Sequence, residues 1–288
     1  MPLLFLTACE KNINLSIQNQ SPVLVVDASI ENGKPPVVVL SSSLNYFSTI
    51  SPADLAASFV HNANITISNG SVTVQLKEFI ATDSAGFKLY YYTANEGNPD
   101  SVLEGALNTT YQLHITTEDG KVYTSQTTIP PIAKTLDSLW WKTAPNNKDT
   151  NRCVMFGRFT DPKGLGNYIR YFTKVNSQGY LAGLNSVFDD QFTDGSTYDL
   201  QFDMGYDKNT INKNKDDYGF AHRGDTVTVK FCNIDKASYD FWRTWEFSYQ
   251  SYNNPFSSPV KVLGNISNGA LGAFSGYAAE YKTIIIPK

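Results

Sequence analysis

Apolar and polar residues alternate along most of the chain from residue 22 onward, and alternation with period two marks strands with one buried face. Val23-Leu24-Val25-Val26 opens the first such segment. Ile30-Glu31-Asn32-Gly33-Lys34-Pro35-Pro36 carries turn chemistry, and Val37-Val38-Val39-Leu40 resumes a strand. Residues 51–57 read as a single helical turn or a loop. Ala63, Ile65 and Ile67 then alternate with Asn64, Thr66 and Ser68, and Val72, Val74 and Leu76 alternate with Thr73 and Gln75. The Asn69-Gly70 pair between them predicts a hairpin closed by a type I′ turn, which needs positive φ at both central residues. A second hairpin runs from Tyr111-Gln112-Leu113-His114-Ile115 over Glu118-Asp119-Gly120 into Val122-Tyr123-Thr124. Each hairpin has one apolar and one polar face, as in a half-solvated antiparallel sheet. Short strands at hairpin spacing over residues 22–133 predict an immunoglobulin-like or related sandwich.

Ile129-Pro130-Pro131 interrupts this pattern, and proline cannot donate to a ladder, so a boundary falls there. Alternation returns at residues 152–159 and 167–175, and again where Val227, Val229 and Phe231 alternate with Thr228 and Lys230. One segment follows another period. Trp242, Trp245, Tyr249 and Tyr252 fall at i, i+3, i+7 and i+10, which is one helical face. Asp235 or Ser238 can cap the start of that helix, and Asn253-Asn254-Pro255 ends it. Ile284-Ile285-Ile286 predicts a last strand. Residues 176–219, rich in Gly, Asn and Asp, read as a long polar surface loop, and loops of that length are uncommon unless they serve a function. The expected architecture is mainly β, with two sandwich-like domains: an immunoglobulin-like one over residues 22–133, and a second over 134–288 with one amphipathic helix near 235–252.

Hydrophobic residues make up 41% and charged residues 17% of the 288, enough apolar surface for a core and against full disorder. The net charge of −4 leaves no basic footprint, so nucleic-acid binding is not expected. The first residues change the picture more. Met1-Pro2-Leu3-Leu4-Phe5-Leu6-Thr7-Ala8-Cys9 is an apolar run ending in small residues and a cysteine, the back half of a secretory signal. Leu6-Thr7-Ala8-Cys9 resembles a bacterial lipobox, in which the chain is cut before the cysteine and the thiol is acylated. Residues 1–9 are therefore expected to be a signal remnant ending at lipidated Cys9, and residues 10–21 a tether. Each buried acyl methylene contributes about 0.8 kcal/mol, so several chains hold firmly. The expected location is the outer membrane, anchored by lipid, with the leaflet undecided.

Candidate chemistry is sparse. The three histidines, His61, His114 and His222, sit beside or within predicted strands and turns, and no Gly-x-Ser-x-Gly elbow occurs. Arg223-Gly224-Asp225 reads as a turn before a strand. The aspartates from Asp189 to Asp217 do not keep the alternate spacing of a calcium loop, and Lys208, Lys213 and Lys215 lie among them. Cys153 and Cys232 fall in predicted strands, as buried thiols or as a bridge. No catalytic residue, metal or cofactor is expected. The Trp242, Trp245, Tyr249 and Tyr252 stripe reads either as packing between helix and sheet or as a ligand-stacking platform.

Several segments together resemble a known family. Tyr239-Asp240-Phe241-Trp242-Arg243-Thr244 leads to Asn253-Asn254-Pro255-Phe256-Ser257-Ser258-Pro259. Then follows Gly264-Asn265-Ile266-Ser267-Asn268-Gly269-Ala270-Leu271-Gly272-Ala273-Phe274-Ser275-Gly276-Tyr277. With Leu24-Val25-Val26-Asp27-Ala28-Ser29-Ile30 and Asp119-Gly120-Lys121-Val122-Tyr123-Thr124, these resemble family 4249 of the domains of unknown function, lipoproteins of Bacteroidota. Ala270 departs from the glycine expected there. The resemblance implies a non-enzymatic accessory lipoprotein that captures a ligand for, or partners, a TonB-dependent outer-membrane receptor. A structural or interaction protein of the envelope is the alternative, and a glycoside hydrolase built on two carboxylates is a more distant one.

Overall fold

Alternation puts every second side chain of a strand on the same side, and burying those sides against each other generates a sandwich. The computed structural model describes residues 21–44, 51–82, 86–94, 103–208, 217–251 and 260–288. The first half supplies β1 (Leu24–Glu31), β2 (Val37–Ser42), α1 (Pro52–Ala57), β3 (Asn64–Ser68), β4 (Thr73–Gln75), β5 (Lys77–Thr82), β6 (Lys88–Thr93), β7 (Thr109–Thr116) and β8 (Val122–Ile129). The order β1-β2-β6-β5 in one layer faces β4-β3-β7-β8 in the other. This is the strand order of an immunoglobulin-like sandwich, as the sequence predicts. Val26, Ile30 and Leu40 of one layer bury against Ile65, Ile67, Leu113 and Ile115 of the other, all at 1% exposure or less. Each contributes about 1.5–3 kcal/mol by leaving water. Tyr111, at the start of β7, is fully buried, and its hydroxyl accepts from Ala106 N at 2.8 Å and donates to Glu104 O at 3.3 Å. That is the tyrosine corner of immunoglobulin-like domains.

The second half supplies β9 (Thr135–Thr143), β10 (Arg152–Thr160), β11 (Tyr168–Val175), β12 (Val187–Phe188), β13 (Thr197–Phe202), β14 (Ala221–His222), β15 (Thr226–Ile234), α2 (Lys236–Ser251) and β16 (Leu271–Ile285). The protein is mainly β. A long sheet, β12-β11-β15-β16-β1-β2-β6-β5, runs through both halves, and a smaller sheet of β9, β10, β13 and β14 packs on its β11–β15 end. Helix α2 covers the opposite face of that end, where Trp242 and Tyr239 pack against Cys232, Ile234 and Tyr277. Asp235 caps the helix, accepting from Ser238 N at 2.8 Å, and its other oxygen accepts from Thr127 Oγ1 and Thr128 N on β8, both at 2.8 Å.

Strand β16 crosses the Pro-marked boundary. Leu271–Tyr277 run parallel to β1, and Ala278–Ile285 run antiparallel to β15 on the other edge. Where a partner strand ends, an asparagine side chain takes its place, because a carboxamide carries the donor and acceptor of a peptide group. Asn32 accepts from Ala279 N (2.6 Å) and donates to Ala279 O (3.4 Å). Asn265 does the same at Phe274, both at 2.8 Å. Asn233 does so at Lys134, at 2.9 and 2.8 Å, tying the segment after the two prolines to β15.

Two local expectations are corrected. Asn69-Gly70 does not form a type I′ turn: only Gly70 has positive φ, and the ladder closes at Ser68–Thr73, leaving a four-residue loop. The Asn69 carboxamide oxygen accepts from Ser71 N and Val72 N, a side-chain turn that competes with the two-residue hairpin, and Val72 is 45% exposed. Residues 176–219 are not one structureless loop. Among the described residues they contain β12 and β13, whose short alternation is masked by flanking Gly and Asp.

Candidate functional site

A cavity of about 480 Å³ opens inside the second half, between the small sheet and the β11–β15 end of the long one. One wall is the inner face of β10 and β13, with Phe159, Tyr198, Leu200 and Phe202; the other is β11 and β15, with Ile169, Tyr171, Val229 and Phe231. Alternation aims all these side chains inward, yet Leu200 remains 40% exposed. The cause is the sheet edge: β12 contributes only two residues, and among the described residues no further strand covers the cavity beyond it. Half of the side chains lining the cavity are aromatic. Tyr171 stacks with Phe188 at 6.2 Å and meets Phe202 edge-on at 5.5 Å, and Phe159 stacks with Tyr198 at 5.7 Å.

The polar groups gather at the mouth, on the loop after β12 and on α2. Tyr239 and Arg243, one helical turn apart, project from α2. The Tyr239 hydroxyl donates to Asp189 at 3.0 Å, and burial together with that carboxylate pushes the phenol up to about 12. Arg243 is exposed and makes no hydrogen bond or ion pair with any described residue. Phe192 is 97% exposed, although its loop is fastened at both ends. The Asp190 carboxylate accepts from Gly166 N and Asn167 N, both at 2.9 Å; burial pushes it up, but these bonds outweigh burial and hold it below the usual range. Thr193 donates to Asp161 at 2.8 Å and accepts from Lys134 Nζ at 3.0 Å. Lys134 and Asp161 form an ion pair at 2.8 Å with side chains 1% and 0% exposed.

The predicted stripe of α2 lies beside this cavity and does not line it. Trp242 is half-buried, with the Arg170 guanidinium 3.3 Å above its ring and its Nε1 donating to Ser275 Oγ at 3.3 Å. Trp245 stacks on Tyr249 at 5.4 Å, and Lys208 lies 5.8 Å from its centroid. Tyr249 is 38% exposed. Tyr252 and Cys9 fall outside the described residues. Cys153 and Cys232 are both buried free thiols, and burial pushes the Cys232 thiol up to about 12. His114 is an exposed strand residue, and His222 begins a turn closed by its own N–H on Asp225 Oδ2 at 2.8 Å. Among the described residues no group of three His, Cys, Asp or Glu is placed to hold a metal. Sequence reasoning missed the cavity. Its signal was the Tyr198, Leu200, Phe202 alternation together with Phe188 and Phe192 inside a segment read as polar.

The model of the family named Domain of unknown function (DUF4249) matches residues 10–283. The chain belongs to the DUF4249 family. No curated protein matches it. Some of the residues that carry the resemblance in this DUF4249 chain serve the seam at β16. Gly272 has φ +99, and a Cβ there would lie 1.9 Å from Val26 O; at Gly276 it would lie 2.6 Å from Thr128 O. Both glycines let β16 approach its neighbours closely. Asn268 and Gly269 both have positive φ, and Ala270 N donates to Ser267 O at 3.3 Å, so a turn of the I′ kind sits here and not at Asn69-Gly70. Arg243, at the cavity mouth, belongs to the same quoted segments.

Proposed function

We propose that this protein is a non-catalytic lipoprotein of the outer membrane, held by acyl chains on Cys9, that captures a small ligand in the cavity and partners a TonB-dependent transporter. The cavity carries this reading. It is largely apolar, open at one end and ringed by a few polar groups, and its volume lies in the range of small-molecule sites, about 300–1,000 Å³. Tethering both proteins to one membrane raises the effective concentration of captured ligand near the transporter. The test has two arms. Cys9→Ser moves the protein from the membrane to the soluble fraction if the lipid holds it; retention in the membrane overturns the anchor. A mild-detergent pull-down through a carboxyl-terminal tag recovers a β-barrel receptor; its repeated absence overturns the partnership.

One observation favours the interaction-protein alternative. Among the described residues the β5–β6 hairpin pairs with the rest of its sheet at Val37 and Val38 of β2, and it exposes Leu89 (40%) beside a stacked Phe79–Tyr91 pair on one face and Ile80 (56%) on the other. Apolar surface of this kind on a protruding hairpin suits protein contact. Ile80→Asp with Leu89→Asp separates the readings: loss of the pulled-down partner with ligand binding intact places docking on the hairpin.

A further inference from the structure

We infer that the ligand of the cavity is an aromatic acid: a flat ring system carrying a carboxylate or similar oxyanion, with its rings between the two walls and its charge on Arg243. This rests on the reading of the cavity as a capture site.

The walls define the body. They present ring faces and edges, in stacked pairs (Phe159–Tyr198, Tyr171–Phe188) and an edge-on pair (Tyr171–Phe202). An inserted ring takes offset or edge-to-face positions against these, a gain beyond area that an alkyl chain lacks. Phe192 supports the same body. Its ring stands almost wholly in water on a loop that Asp190, Thr193, Lys134 and Asp161 hold in place, so mobility does not account for its exposure. A planar ligand in the mouth gives that ring a surface to cover.

The mouth defines the charge. Among the described residues an acidic and a basic side chain face it, Asp189 and Arg243. Asp189 already accepts from Tyr239 at 3.0 Å, whereas the Arg243 guanidinium keeps all its donors free of described partners. A guanidinium offers paired N–H groups that match an oxyanion. Among the described residues lining the cavity Arg243 is the one cation, and the nearby Lys134 is committed to Asp161 and Thr193. An acid therefore lies with its charge outward at Arg243 and its apolar part inward, on the side of the mouth away from Asp189.

The experiment compares three probes by calorimetry on the full chain carrying Cys9→Ser, which keeps detergent out of the assay: naphthalene-2-carboxylate, its neutral isostere 2-naphthalenemethanol, and decanoate. The carboxylate is expected to bind about tenfold more tightly than the alcohol, the order expected for one charge-assisted contact at an exposed site. It also binds more tightly than decanoate, and its advantage over the alcohol shrinks as salt rises. Arg243→Gln removes the advantage and leaves the alcohol unchanged; Arg243→Lys restores part of it. Leu200→Trp, which fills the cavity from a half-exposed edge position, weakens all three. Equal binding of acid and alcohol, or an Arg243→Gln variant with unaltered acid binding, overturns the inference while Leu200→Trp still reports on the cavity. Preference for decanoate overturns the aromatic body. No binding by any probe to the Cys9→Ser chain without further substitution, with its melting profile intact, overturns both the inference and the capture reading beneath it. Should Leu200→Trp fail to fold, Val229→Phe on the opposite wall replaces it.

Discussion

The two halves of the molecule start from the same period-two pattern and end differently: one sandwich is filled, the other is open. In the first, inward residues such as Ile65, Ile67 and Ile115 reach zero exposure. In the second, Leu200 points inward and stays 40% exposed. The difference lies at the edges. The outer edge of β8 is sealed from far along the chain, by Ser267 on Thr124, by Asn265 on Gln126 and by Asp235 on Thr128. The edge at β12 is two residues long, and among the described residues the 189–194 loop is what continues it. Alternation therefore decides which way side chains face, and long-range closure decides whether they meet anything.

The harshest way to break the comparison is at the Lys134–Asp161 pair, which anchors the cavity loop through Thr193. Lys134→Met strands a buried carboxylate whose Oδ1 already lacks a partner. Removing one member of a buried pair costs about 3–5 kcal/mol, because the other charge is left uncompensated. Urea unfolding should show that loss, and Lys134→Met with Asp161→Leu should recover most of it. A double variant as unstable as the single one would mean that packing, not the orphaned charge, sets the cost.

Paired truncations sharpen the comparison directly. Leu113→Ala, in the filled core, should cost about 2–5 kcal/mol, the transfer loss plus a new void. Leu200→Ala removes the same atoms from a wall already facing a void, and should cost under about 1 kcal/mol. Equal losses would show that the second sandwich closes in solution. A smaller effect is expected at the seam the halves share: Asn265→Ala frees the N–H and C=O of Phe274, whose side chain is fully buried, at about 1–3 kcal/mol.

These contrasts explain what could be read from the chain. The immunoglobulin-like half was legible because it is built from near-neighbour pairs, β1–β2, β3–β4, β5–β6 and β7–β8, most of whose strands alternate clearly; the β2–β6 and β3–β7 pairings between them were not. The start of α2 was legible because Asp235 acts locally, accepting from Ser238 N. The cavity was not. Tyr198, Leu200 and Phe202 occupy every second place of a six-residue strand set among Gly, Asp and Thr, and their partner wall on β11 and β15 lies about 30 residues away on either side in sequence, at ladder positions no local pattern encodes. The α2 stripe stood out for the opposite reason: its periodicity is clear, but periodicity cannot say that Arg170 lies on Trp242. Likewise β16 read as a last strand near Ile284-Ile285-Ile286, while its first seven residues, which complete the other half, hold Gly272 and Gly276 and keep no alternation that marks a strand.

The smallest expected effect separates two buried glutamates by sign. At Glu31, burial pushes the carboxyl up, but Lys230, Lys34 and Tyr281 outweigh it and hold it below its ordinary value. At Glu246, burial dominates over the bonds from Ser186 and the charges of Arg170 and Lys208, and the carboxyl sits above its ordinary value. A depressed carboxyl adds stability that is present above its unfolded value, near 4.5, and is lost as pH falls through the folded one. A raised carboxyl works the other way: its favourable contribution is complete below 4.5 and is lost as pH rises through the folded value. Glu246→Gln keeps an oxygen for Ser186 N and Oγ and removes the ionisation. Between pH 4 and pH 8 the variant should gain on the wild type by on the order of 1 kcal/mol, read as a rising difference in urea midpoints. Glu31→Gln should show the reverse slope, its deficit shrinking as the medium is acidified. Parallel curves for wild type and Glu246→Gln would mean that Arg170 and Lys208 compensate the buried charge in full, and that the α2 side of the long sheet is as well balanced as the Glu31–Lys230 side.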